Sequence, residues 1–178
     1  MAQPPQNSSQ TLPSQVSTKP SQSEVALLIK KGFALHQEGK LEQAQAIYEE
    51  ILALEPNHFD ALQLLGALLI QLKSYFHAAK LLNRALEIDP QFAVGFYNLG
   101  NVLKSLGQLK EAIDSYQKAI VLQPEYAQAY NNRGVCYLEL KDFEGAIASF
   151  EKALDLSSNH APAYNNLGNA LRTLKKHE

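Results

Sequence analysis

The chain has 178 residues, a formal charge of −2 and a pI near 6.2, so it carries no basic footprint for nucleic acid or an anionic lipid surface. A single cysteine excludes an internal disulfide and argues against a cysteine-built metal site. The amino terminus lacks the charged start and apolar core of a signal peptide. The longest apolar stretch, Ala61 to Leu72, is too short for a bilayer and is interrupted by Gln63 and Gln71, so a cytoplasmic, non-membrane protein is expected.

Residues 1–22 are mostly Gln, Ser, Pro and Thr, with Met1, Leu12 and Val16 the only large apolar side chains. Such a segment buries too little surface to offset its ordering entropy and is predicted to be a disordered leader. The composition changes at Ser23-Glu24, which reads as a helix start. From Val25 the chain obeys one period. Gly32, Gly66, Gly100, Gly134 and Gly168 are 34 residues apart, as are Ala44, Ala78, Ala112 and Ala146, and as are Pro56, Pro90 and Pro124. A period of this length predicts stacked structural repeats: blocks 25–58, 59–92, 93–126 and 127–160, and a half block 161–178.

Each full block carries two helical patterns joined by a short polar turn. In the third, the first helix is predicted from Val94 to Leu106, broken by Gly107-Gln108, and the second from Leu109 to Leu122, stopped by Gln123-Pro124. The fourth block has Ser158 in the proline position, and Ser157, Ser158 and Asn159 are expected to keep the turn and cap the next helix. A mid-helix glycine costs about 0.5–1 kcal/mol against alanine, so its repetition implies close helix approach, expected to be against the alanine of the second helix. Leu28, Leu62, Phe96, Tyr130 and Tyr164 on first helices complete the contact with Tyr48, Leu82, Tyr116 and Phe150 on second helices, all read as packing residues.

This pattern resembles the tetratricopeptide repeat, shown in full by Phe96, Leu99, Gly100, Leu103, Ala112, Tyr116, Ala119 and Pro124. The resemblance covers residues 25–178, with Lys31 and Arg133 replacing the leucine before glycine and Ile51 replacing an alanine. It implies an all-α, right-handed α-solenoid of tandem helix-turn-helix repeats. The strings FYNLGNVL (96–103), YNNRGVCY (130–137) and YNNLGNAL (164–171) are similar to repeats of O-linked N-acetylglucosamine transferases and bacterial SPINDLY-like glycosyltransferases. There the repeats present partners to a separate catalytic domain, so the resemblance implies a recognition arm and not an enzyme.

The same resemblance places block positions 2, 5, 6, 9, 12 and 13 on a concave groove. Its amino-terminal half is apolar, with Ile29, Phe33, Leu64, Ala67 and Ile70. Its carboxy-terminal half is amide-rich. Asn98, Asn132 and Asn166 recur at the repeat period, beside Asn101, Asn169, Asn131 and Asn165, with Tyr97 and Lys104 on the same face. Asparagine is a mediocre helix former. Either these amides grip the backbone of an extended peptide, or they bond between repeats or to solvent. The two-carboxylate clamp of tetratricopeptide co-chaperones is absent, because its positions hold Tyr97, Asn101, Asn132, Pro162 and Asn166.

Cys136 occupies a position otherwise held by Ala34, Leu68, Val102 and Ala170 and is predicted to be a buried small hydrophobe. His36, His58, His77, His160 and His177 share no metal-ligand spacing, and no phosphate loop or nucleophile motif occurs. No cofactor or metal is expected. A protein or peptide partner is, with the substrate arm of a truncated glycosyltransferase as the alternative function. Leu167, Leu171 and Leu174 end the array without a second helix, so truncation or self-association through this end is expected.

Overall fold

The computed structural model describes residues 21–175. The proposed leader, residues 1–20 above all, and His177 lie outside them. The described residues form helices α1 (Gln22–Gln37), α2 (Leu41–Leu54), α3 (Phe59–Gln71), α4 (Tyr75–Ile88), α5 (Ala93–Ser105), α6 (Leu109–Leu122), α7 (Ala127–Glu139), α8 (Phe143–Leu156) and α9 (Ala161–Leu174), with no strand among them. Helix α6 has the predicted bounds and α5 is shifted by one residue. Helix α1 starts earlier than Ser23-Glu24. Its cap is Ser21, whose backbone N–H donates to Glu24 Oε2 at 2.7 Å while its Oγ accepts from the Glu24 N–H at 3.3 Å. This reciprocal box holds the Glu24 carboxyl below its ordinary pKa, chiefly through the backbone bond.

Both kinds of turn repeat with the period. Between the helices of a pair the chain passes through a left-handed residue at Gly39, Lys73, Gly107 and Lys141, with φ of 57–76°. The following N–H then reaches back five residues, as from Gln108 to the Leu103 carbonyl at 2.9 Å. Between pairs, Pro56, Pro90 and Pro124 follow the last helical bond and supply no N–H to continue it. Ser158 keeps the same turn, with His160 N–H donating to the Ser157 carbonyl at 3.1 Å. The cap of α9 is His160, not the preceding Ser or Asn. Its Nδ1 accepts from Ala163 N–H, as His58 Nδ1 does from Ala61 N–H at the start of α3.

The pairs close on a contact that differs from expectation. A Cβ placed on Gly100 would lie 2.6 Å from Tyr116 Cε1, so glycine makes room for the large side chain sixteen residues on, and not for the alanine twelve residues on. Ala44, Ala78, Ala112 and Ala146 are nonetheless fully buried, as are Tyr48, Leu82, Tyr116 and Phe150. The apolar core runs between neighbouring blocks, with Phe96 and Leu103 packed against the clusters on both sides. The odd-numbered helices touch in succession, α1 with α3, α3 with α5, α5 with α7 and α7 with α9, whereas α2, α4, α6 and α8 do not reach one another. Helices that converge on one side and splay on the other make the odd-helix face the inner, concave one.

Candidate functional site

The inner face has two halves. At the amino-terminal end Ile29, Leu64, Ala67 and Ile70 are half-buried and Phe33 is 44% exposed. His36, on α1, bonds to Gln71 through Nε2 at 2.9 Å, crossing from the first repeat to the second. An apolar side chain laid on Phe33, Leu64 and Ile70 meets aliphatic and aromatic carbon, while Lys30, Glu55 and Asp60 border Ile29.

At the carboxy-terminal end the amides bond to one another. Tyr116 Oη donates to Asn101 Oδ1 at 2.8 Å, and Asn132 Nδ2 donates to the same oxygen at 2.8 Å and to Tyr97 Oη at 3.3 Å. Asn131 Nδ2 donates to Asn132 Oδ1 at 3.1 Å, and Asn166 Nδ2 donates to Asn131 Oδ1 at 3.1 Å, carrying the network from α5 through α7 to α9. Asn131 is buried, while Asn132 and Asn166 are half-buried. Asn169 Oδ1 accepts from the Arg172 guanidinium at 2.9 Å. Half-buried Lys104 lies one turn beyond Asn101.

Asn98 makes none of these bonds. The cause is its neighbour. Asn132 reaches back to Tyr97 and Asn101, but the equivalent places for Asn98 hold Gln63 and Ala67. The half-buried amide of Asn98, at the border between the halves, therefore makes no hydrogen bond among the described residues.

Several members were missed in the sequence or read there as packing residues only. Tyr116 is one, since its ring fills the Gly100 notch while its hydroxyl reaches Asn101. Tyr126 was not singled out at all, and its ring lies 4.8 Å from that of Tyr97, with its phenol pushed up to about 12, first by burial and then by the neighbouring Tyr97. Arg133, flagged only as a departure from leucine, lies against the rings of Tyr130 and Tyr137 and bonds to Gln117 of α6 and to Ser149 of α8 at 3.2 Å. It fixes α7 between its two flanking helices. The spacing of Tyr130, Arg133 and Tyr137, three and four residues apart on one helix face, was the available signal. Cys136 is fully buried, as predicted, and burial pushes its thiol up to about 11.

No group of His, Cys, Asp and Glu that could hold a metal occurs among the described residues, and none of their helices is long and apolar enough to cross a membrane.

Comparison with known proteins agrees with this geometry. Family models described as tetratricopeptide repeat match residues 35–95, 81–114 and 127–160, and one described as TPR repeat matches residues 100–141. No curated protein matches the chain. Among solved structures, a crystal structure of MamA protein is 25% identical, with a TM-score of 0.81 over 85% of this chain and 83% of that one. MamA 41-end from Desulfovibrio magneticus RS-1 is 29% identical, with a TM-score of 0.73 over 78% of each chain. YrrB, described as a TPR protein with an unusual peptide-binding site, is 26% identical, with a TM-score of 0.75 over 85% of this chain and 78% of that one.

Proposed function

We propose that this chain, which belongs to the tetratricopeptide-repeat family, is a protein-interaction scaffold that takes an extended peptide along the face built by α1, α3, α5, α7 and α9. The observation that carries the reading is the graded chemistry of that one face. Exposed Phe33 and its aliphatic neighbours offer burial for side chains, and a pre-ordered amide network begins where they end. The peptide-binding site named for YrrB supports the same use of a similar fold.

Residue roles differ along the groove. Asn98, with its amide uncommitted, contacts peptide backbone, and Lys104 and Asn169 lie on the same face. Asn101, Asn132 and Asn166 hold the face in shape and present what remains of their hydrogen-bonding capacity. Phe33 and Leu64 select for apolar side chains. The narrower reading, a substrate arm of an O-GlcNAc-transferase-like enzyme, draws on the three asparagine-rich strings and uses the same groove. It differs in requiring a catalytic domain on the same polypeptide.

The test is a random 15-residue peptide array probed with the full chain, followed by titration of the strongest binders. Asn98→Ala removes about one hydrogen bond, so affinity falls roughly fivefold with no drop in melting temperature. Asn132→Ala lowers both, because Asn101 and Tyr97 lose their shared partner. Binding that survives Asn98→Ala, Lys104→Ala and Phe33→Ser alike refutes the groove assignment.

A further inference from the structure

The amide network of the third repeat is built around one hydroxyl. Tyr116 Oη donates to Asn101 Oδ1, the same oxygen accepts from Asn132 Nδ2, and Asn132 also reaches Tyr97 Oη. Two repeats earlier, the positions of Tyr116, Asn101, Asn132 and Tyr97 hold Tyr48, Phe33, Leu64 and Ile29. The tyrosine is kept, and its three polar neighbours are replaced by carbon. Tyr48 enters the Gly32 notch as Tyr116 enters that of Gly100, and its ring meets that of His36 edge-on at 6.4 Å. Its hydroxyl is thus carried to the inner face at the register of Asn101, where it is buried with no hydrogen-bond partner among the described residues.

The notch itself does not call for a hydroxyl, since Leu82 and Phe150 fill the equivalent places without one. An orphaned hydroxyl is a cost of folding, and a ligand that supplies its acceptor removes that cost. Burial raises the pKa of this phenol, so it meets a ligand as a neutral donor.

The surroundings choose the acceptor. Ile29, Phe33 and Leu64 offer no cation to balance a carboxylate pressed among them, and Lys30, which borders Ile29, has Glu55 and Asp60 beside it. A neutral oxygen is therefore favoured. It must reach below the surface layer, and a backbone carbonyl stands too close to its own chain to do so. A side-chain amide has the reach, as Asn101 shows in the third repeat. Phe33, 44% exposed, has the open groove on one side of its ring and room to turn aside. At the rim, one turn beyond Phe33, His36 Nε2 engages Gln71 Nε2 at 2.9 Å, which leaves Gln71 Oε1 to accept from the incoming amide nitrogen.

Given the peptide-binding role proposed for the inner face, on which this rests, we propose that Tyr48 is a specificity-determining residue of the groove. It selects peptides carrying an asparagine or glutamine. The side-chain oxygen accepts from Tyr48 Oη, and the displaced Phe33 ring packs against the aliphatic part of the same side chain.

The probes are the 15-residue peptide array and one binder from it, synthesised with glutamine, methionine or glutamate at its amide position. Binders of the full chain are expected to share an amide residue at a fixed distance from an apolar one. Gln→Met in the peptide keeps the length, removes the hydrogen bond and weakens binding about two- to tenfold. Gln→Glu weakens it at least as much. Tyr48→Phe weakens the glutamine peptide by the same factor and leaves the methionine peptide unchanged, whereas a packing role alone would not tell the two peptides apart. Phe33→Asn supplies the acceptor from within and abolishes the amide preference. Binders with no shared amide, a Gln→Met change without effect, equal losses of both peptides in Tyr48→Phe, or an amide preference that survives Tyr48→Phe each overturn the proposal. Peptides that bind through Asn98 without an amide preference sink this site alone, and an array without binders sinks the peptide-binding role as well.

Discussion

Tyr48 and Tyr116 hold the same place in the first and third blocks and enter equivalent notches, with Cε1 at 2.7 and 2.6 Å from a Cβ placed on Gly32 and Gly100. Both side chains are fully buried. Only the second hydroxyl is satisfied, by Asn101 at 2.8 Å, because the matching position in the first block holds Phe33. Replacing each by phenylalanine must therefore act with opposite sign. Tyr116→Phe removes a bond but orphans nothing, since Asn101 Oδ1 still accepts from Asn132, so the loss is about 0.5–1.5 kcal/mol. Tyr48→Phe removes a hydroxyl that was desolvated without return. It recovers part of a penalty of about 1–3 kcal/mol, less the contacts of one oxygen, for a gain near 1 kcal/mol. For a chain of this length the melting temperature moves about 2–4 °C per kcal/mol, down for one variant and up for the other. Urea unfolding followed by far-ultraviolet circular dichroism gives the same comparison from the midpoints. Phe33→Asn closes the cycle. In that background Tyr48→Phe turns destabilising, with a coupling energy of about 1.5–2.5 kcal/mol. If Tyr48→Phe and Tyr116→Phe destabilise equally, the Tyr48 hydroxyl has a partner and the reasoning fails.

Gly100→Leu forces a side chain into the Tyr116 ring, whose atoms lie 2.6–2.9 Å from the new Cβ, and costs about 1–3 kcal/mol or more by overpacking. Gly168→Ala, with open space around it, gains about 0.5–1 kcal/mol of helix propensity, and calorimetry that moves both variants the same way contradicts the notch assignment. Cys136 keeps its proton in the folded state to about pH 11, whereas an unfolded thiol titrates near 9.0. The native state then holds the extra proton, so this thiol's stabilising contribution is complete below pH 9 and is lost as pH rises toward 11. The fall in unfolding free energy between pH 8 and pH 10.5 should be smaller in Cys136→Ala than in the parent. At pH 8 the thiol should react with a disulfide reagent only at the rate of unfolding; rapid labelling refutes its burial.

The repeat period made the helices legible nearly to the residue, because each block repeats the same breakers at the same places. It hid two turns. Gly39 and Gly107 announce the left-handed residue, but Lys73 and Lys141 adopt it without the signal, and only the period carries the inference across. The partner of each glycine was legible and was misread. In an antiparallel pair, residues equidistant from the turn meet, and Gly100 and Tyr116 lie eight residues either side of Gln108. Ala112, four residues past that point, belongs level with Lys104. Matching small with small overlooked this arithmetic.

The amide network was beyond such arithmetic. Contacts between successive first helices join residues 31 and 35 apart, as with Asn101 and Asn132 or Asn131 and Asn166, and this offset is set by the tilt of one pair on the next. A 34-residue lattice alone aligns Asn98, Asn132 and Asn166 as equals. The packing makes them unequal. Asn132 gives both amide protons to the preceding repeat, Asn166 gives one, and Asn98, whose register position in that repeat holds Ala67, gives none. An amide fixed by its neighbours loses no rotamer freedom when a ligand arrives, whereas a free amide does, at about 0.5–1.5 kcal/mol per side chain. Asn98 therefore brings a full hydrogen-bonding edge at an entropic cost, and Asn132 and Asn166 bring a partial edge already in place. On the proposed peptide-binding role, affinity should depend on Asn98 for bonds newly made and on the network for a surface that need not reorganise.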